Sequence, residues 1–128
     1  MKACLIGKTL KHSFSKEIHE GLGTSYALRE VAPNLLASFV KSNEFSFYNV
    51  TIPYKEEIMP FLDEIHSSAK AVGAVNTVVT KEGKTIGYNT DLYGMSRSFH
   101  KHGVCPAGKN IVILGSGGTS KTAQAYLK

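Results

Sequence analysis

No apolar run in the 128 residues approaches the roughly 20 needed to cross a bilayer, so nothing reads as a membrane span. The opening stretch Met1-Lys2-Ala3-Cys4-Leu5-Ile6-Gly7 is too short in its apolar part for a secretory signal and reads as a strand. Cysteine is scarce. Cys4 and Cys105 lack C-x-x-C spacing and suit a reducing, cytoplasmic compartment. The five histidines, His12, His19, His66, His100 and His102, show no ligand spacing with cysteine or carboxylate, so no metal is expected. No basic run is interleaved with aromatics, which argues against a nucleic-acid partner. Internal repeats and low-complexity segments are absent as well. What remains is the composition of a soluble globular protein, 42% hydrophobic and 20% charged. The length allows one domain with its own core and a little more. The net charge of +5 is spread over scattered lysines. It serves solubility, and equally suits anionic ligands such as a carboxylate or nucleotide phosphates.

Strand and helix patterns alternate along the chain. Residues 2–7 read as a buried strand and 7–12 as a loop. Ser15 is placed to cap a helix reaching about Leu22, with Ile18 and Leu22 four apart. Residues 25–31 look like a strand, broken at Pro33-Asn34. A helix over 35–41 puts Leu36 and Val40 on one face. Residues 45–51 form the next strand. Pro53 then opens a short helix, where its missing N–H costs nothing, and Glu56 and Glu57 fall in the first turn. Pro60 interrupts, and a second helix is expected to about Val72. Residues 75–80 and 85–88 read as a hairpin with Gly83 at its turn. Thr90 or Asp91 caps a helix to about His102, with Leu92, Met95 and Phe99 on its apolar side and Gly103 as its stop. After a linker at 105–108, the apolar run 111–114 reads as a strand buried in a parallel sheet. A glycine turn and a last helix follow. This alternation predicts an α/β fold: an N-terminal α/β sandwich with a mostly parallel sheet over residues 1–103, then the start of a Rossmann-type unit over 104–128.

Five segments carry chemistry. In Lys11-His12-Ser13-Phe14-Ser15, two hydroxyls beside free helix N–H groups suit a carboxylate, although a capping role for Ser15 explains that residue as well. In Asn49-Val50-Thr51-Ile52-Pro53-Tyr54-Lys55, a strand ends at a rigid turn and Lys55 enters a helix. Thr51 and Lys55 are four apart, so both are expected to face one cleft. A lysine at this place suits proton transfer, where the plain alternative is an exposed surface lysine. In Gly73-Ala74-Val75-Asn76-Thr77-Val78, Asn76 follows small residues and either binds a ligand hydroxyl or satisfies a turn. In Gly87-Tyr88-Asn89-Thr90-Asp91, a carboxylate stands at a helix start, where capping and pairing with a lysine are compatible roles. Finally, Ile111-Val112-Ile113-Leu114-Gly115-Ser116-Gly117-Gly118-Thr119-Ser120 offers strand, glycine turn and helix, the context of a dinucleotide fingerprint. Ser120 replaces its third glycine.

In order and spacing these segments resemble the shikimate dehydrogenase family, whose motifs are H-S-x-S-P-x-x-H-N, N-V-T-x-P-x-K, G-A-V-N-T, G-x-N-T-D-x-x-G and G-x-G-G. The likeness covers nearly the whole chain. Lys16 and Glu20 depart from the first motif. The resemblance implies a shikimate-binding domain (1–103) followed by the beginning of a truncated NADP-binding Rossmann domain (104–128). It implies reversible NADPH-dependent reduction of 3-dehydroshikimate to shikimate, in aromatic amino-acid and chorismate biosynthesis. Lys55 and Asp91 would be the catalytic pair, with Lys55 giving a proton to the carbonyl. Ser13 and Ser15 would hold the carboxylate. Thr51 and Asn76 would bind ring hydroxyls or carboxylate, and Asn49 would support the pocket wall. Gly115, Ser116, Gly117, Gly118 and Thr119 would approach the cofactor pyrophosphate. The expected ligands are shikimate or 3-dehydroshikimate and NADP, with no metal, nucleic acid or membrane. Without its parallel sheet, the apolar run 111–114 is expected to pack back on the domain, fray, or self-associate with another copy. A relative acting on quinate or an amino-substituted shikimate would use the same motifs. A mere shikimate-binding module would have no need of a proton-transfer pair.

Overall fold

The structure, a computed structural model, describes residues 2–11 and 13–128; Met1 and the His12 of the first motif lie outside them. Six strands form one sheet in the order β2-β1-β3-β5-β6-β4: β1 (Ala3–Gly7), β2 (Tyr26–Glu30), β3 (Phe47–Val50), β4 (Glu64–Ile65), β5 (Thr77–Lys81) and β6 (Lys84–Tyr88). β5 alone runs against the others, so the sheet is mostly parallel, as expected. The helices are α1 (Ser15–Gly21), α2 (Leu36–Lys41), α3 (Tyr54–Glu57), α4 (Ser67–Val72), α5 (Asp91–Lys101) and α6 (Gly118–Leu127). Among the described residues no helix is long and apolar enough to cross a membrane.

β1 lies between two parallel neighbours, and all five of its residues are buried. Successive side chains point to opposite faces of a strand, and the core divides accordingly. Cys4 and Ile6 join Leu36, Val40, Tyr48, Val50, Tyr54, Ile58, Val75 and Val78 in the larger cluster. Ala3 and Leu5 join Leu10 and Tyr26 in a smaller one, with Phe47 against it. The Cys4 thiol is pushed up to about 12, chiefly by burial, and stays protonated and inert.

Local turn chemistry forms as its residues dictate. Glu82 (φ 53°) and Gly83 (φ 77°) make the two-residue hairpin turn between β5 and β6. Gly103, at φ 64°, stops α5, and the Val104 N–H returns to the Phe99 carbonyl at 2.9 Å.

Three expectations are corrected. Ser15 is the first residue of α1 and not its cap; its N–H donates to Ser13 Oγ at 3.2 Å. Between Pro60 and Val72 there is no single helix but a 3-10 turn at Met59–Phe61, then β4, then α4. Asp63 causes this. Its Oδ2 accepts from the Thr85 N–H (2.7 Å) and hydroxyl (2.8 Å), drawing the chain onto the edge of β6. His66 then restarts a helix, its Nδ1 accepting from the Ser68 N–H at 3.2 Å. Lastly, residues 111–114 form no strand, and Val112 and Leu114 are 83% and 93% exposed. A strand exists only through its ladder partners, and none pairs with this segment among the described residues.

The Asp63 clamp has a pH signature. The Thr85 N–H first, and its hydroxyl next, hold the Asp63 carboxyl below its ordinary value of 3.8. A carboxyl held low in the fold contributes stability that is present above its unfolded value and lost as pH falls through the folded one. Asp63→Asn is therefore expected to flatten the acid limb of stability below about pH 4. Urea midpoints measured at a series of acid pH values check this, and an unchanged acid limb would contradict it.

Candidate active site

The proposed site residues gather where the parallel strands end. Ligands of open α/β sheets bind at that edge, because the loops and helix starts there leave polar groups unpaired. The loop after β1 supplies Ser13, and the first position of α1 supplies Ser15. The end of β3 supplies Asn49 and Thr51, and α3 supplies Lys55. Asn76 precedes the reversed β5, and Asp91 opens α5 directly after β6.

Lys55 and Asp91, 36 residues apart, meet at 2.6 Å between Nζ and Oδ2, with side chains 15% and 32% exposed. The pair is therefore shielded yet reachable. Asn76 is 8% exposed and organises its other side. Its Nδ2 donates to Asp91 Oδ1 (2.8 Å) and Thr90 Oγ1 (2.9 Å), and its Oδ1 accepts from the Thr90 N–H (2.9 Å). Asn89 is buried as well. It donates to the Ala74 carbonyl (2.9 Å) and accepts from the Leu92 N–H (3.2 Å), so it fixes the first turn of α5, a role expected of Thr90 or Asp91.

Three cavities share walls here. Ser13, Ser15 and Thr51 line one of about 580 Å³ with Lys11 and Phe14. Lys55, Thr90, Asp91 and Thr119 line another of about 650 Å³ along α5. Lys55 also lines a third of about 340 Å³, facing Gly115, Gly117, Gly118 and Thr119; Ser116 is not among its walls. Thr51 lines the first and Lys55 the other two, and the first and third adjoin at Ile52. The helix begins only at Tyr54, so the expected four-residue helical relation does not hold. Among the described residues no group of three or more His, Cys, Asp or Glu could hold a metal ion.

The glycine turn leads into α6 as expected. Gly115 takes φ 116°, a conformation that favours glycine. A Cβ on Gly118 would lie 3.0 Å from Lys55 Cδ, so the turn rests on the lysine stem. α6 is tied to the same region by Lys121 Nζ on Glu56 Oε2 (2.5 Å) and by the Tyr126 ring stacked on Phe99 at 5.1 Å.

Hydrogen bonds extend this network from Asn76 through Thr77 and Asn49 to Tyr26, and neither Thr77, Thr90 nor Tyr26 has a ligand-binding or catalytic role in the motif reading. Thr77 and Thr90 stand inside quoted motifs, beside Asn76 and Asp91. Tyr26 stands in none of them, and its partner Asn49 is 23 residues away, so no local signal marks it.

The fold and site define an α/β ligand-binding domain with a lysine–carboxylate pair at the strand ends. The family model for the shikimate dehydrogenase substrate binding domain matches residues 5–78, and the chain belongs to that family. It is 39% identical to the shikimate dehydrogenase (NADP(+)) of Clostridium perfringens, across 97% of this chain and 49% of that protein. The crystal structure of shikimate dehydrogenase 1 from Peptoclostridium difficile superposes with a TM-score of 0.90 at 38% identity, over 98% of this chain and 51% of the other. The Thermus thermophilus shikimate 5-dehydrogenase in complex with shikimate gives 0.89 at 31% identity, over 99% and 52%. The chain thus spans about half the length of these relatives.

Proposed function

We propose that this chain is the shikimate-binding part of an NADP-dependent shikimate dehydrogenase, catalysing reversible reduction of 3-dehydroshikimate to shikimate. The observation that carries this is the Lys55–Asp91 contact of 2.6 Å at the strand ends. It lies between a hydroxyl-lined cavity and a glycine turn. Lys55 donates a proton to the substrate carbonyl oxygen during reduction. Asp91 orients Lys55 and a ring hydroxyl. Ser13 and Ser15 donate to the carboxylate at the start of α1. Thr51 and Asn76 take ring hydroxyls or carboxylate, and Asn49 supports the wall.

The glycine turn fits a dinucleotide. Apart from the adjoining residues, nothing lies within 4 Å of where a Cβ on Gly115 or Gly117 would stand, so the backbone is open to close approach at the start of the ten-residue α6. Gly115, Ser116, Gly117, Gly118 and Thr119 would hold the pyrophosphate. When bound, NADPH supplies the hydride. Residues 1–103 then form the substrate domain and 104–128 the beginning of the cofactor domain. The exposed apolar segment 111–114 supports self-association through that stretch, and the composition supports a cytoplasmic place of action.

Titration of shikimate into the 128-residue chain, followed by NMR shifts or calorimetry, tests the reading. Saturable binding is expected, weakened about tenfold or more by Lys55→Ala and by Asp91→Asn through loss of charge-assisted hydrogen bonds. Binding that is indifferent to both substitutions would sink the assignment.

A further inference from the structure

A chain of hydrogen bonds runs from β2 to Asp91, and all its donors point one way. The Tyr26 hydroxyl donates to Asn49 Oδ1 at 2.7 Å, and Asn49 Nδ2 donates to Thr77 Oγ1 at 3.0 Å. The Thr77 hydroxyl donates to Asn76 Oδ1 at 3.2 Å, and Asn76 Nδ2 donates to Asp91 Oδ1 at 2.8 Å. Two backbone groups dictate this direction. The Thr90 N–H, which only donates, faces Asn76 Oδ1 at 2.9 Å. The Asn76 carbonyl, which only accepts, faces Asn49 Nδ2 at 3.4 Å. With both amides oriented by the backbone, one role is left to each hydroxyl. Tyr26 must donate. Thr77 must accept from Asn49 and pass its own proton toward Asn76.

The upstream end is firmly held. The His19 ring stacks on Tyr26 at 4.1 Å, with only 5° between the planes, and Phe47 lies 6.4 Å away. Burial, aided by Cys4, raises the Tyr26 phenol above the usual tyrosine value against the opposing Asn49 bond, so it remains a donor. At the downstream end, a carboxylate rotates freely about its last torsion unless something anchors it. Asn76 holds Oδ1, and this leaves Oδ2 for Lys55. Aligned hydrogen bonds also strengthen one another.

We propose that Tyr26 and Thr77 are positioning residues that act through Asn49 and Asn76 to present Asp91 to Lys55 in a single orientation. The inference rests on the reading of Lys55 and Asp91 as the proton-transfer pair. It assigns a role to a tyrosine on an outer strand that touches neither of them.

The test compares Thr77→Val, which removes the hydroxyl at nearly constant shape, with Thr77→Ser, which keeps it. Two readouts are taken: the side-chain amide resonances of Asn49 and Asn76 in the ligand-free chain, and the Kd for shikimate. In Thr77→Val the Asn76 amide pair is expected to move and the Kd to rise about fivefold, the worth of one net hydrogen bond. Thr77→Ser is expected to leave both near wild type. Tyr26→Phe is expected to move the Asn49 pair and raise the Kd about two- to fivefold. An unmoved Asn76 pair in Thr77→Val would overturn the proposal, as would equal effects of Val and Ser, which would mark a packing role. If the unsubstituted chain binds no shikimate, the substrate reading fails by itself. The ligand-free resonances then decide the positioning role alone.

Discussion

Lys55→Ala is expected to lower kcat for dehydroshikimate reduction by about 10²- to 10⁴-fold, the range a positioned general acid contributes. KM is expected to rise about tenfold as well, because on the proposed reading the lysine also gives the bound ligand a charge-assisted hydrogen bond. The chain spans about half its relatives, so the assay uses this sequence joined after Leu127 to the remaining half of the Peptoclostridium difficile enzyme. The unjoined chain serves as a control and is expected to show negligible turnover, because hydride transfer needs donor and acceptor held together. A loss of kcat smaller than about tenfold in the joined protein would remove Lys55 from the proton-transfer role.

Asn76→Ala is expected to cost about 2 to 3 kcal/mol of stability. Its amide serves Thr90 and Asp91 together, and it is nearly buried. Without it the Thr90 N–H, the Thr77 hydroxyl and one carboxylate oxygen lose their partner. A group left unpaired in a shielded place costs more than the bond was worth in the fold. Urea unfolding of the 128-residue chain measures the loss as a lower midpoint at constant slope. A loss below about 1 kcal/mol would mean that water replaces the amide readily. The same variant is expected to bind shikimate poorly, since the orientation of Asp91 depends on it.

Lys55 and Asp91 illustrate how much is legible in the residues alone. Each lies in a dense local motif, and their type and spacing single both out as candidates for chemistry. That they touch follows only from a sheet that brings the end of β3 beside the end of β6 through the reversed β5. Thr51 shows the converse: its spacing suggests one helical turn with Lys55, but α3 begins only at Tyr54, so the two are related through a turn and not along a helix face. The region 60–72 departs from its helix pattern because the Asp63 clamp on Thr85 competes with it, and that partner lies 22 residues on.

By itself, then, the amino-acid sequence determined the alternation of elements, the hairpin turn, the stop at Gly103 and the five motifs. These rest on interactions within a few residues, namely backbone sterics, side-chain periodicity and turn chemistry. Tertiary structure decided whether the run at 111–114 pairs, which way β5 points, and how Tyr26 reaches Asp91 through Asn49, Thr77 and Asn76. Strand pairing and buried amide networks draw their partners from distant parts of the chain. A residue such as Tyr26 therefore gains its role only once the sheet has placed it.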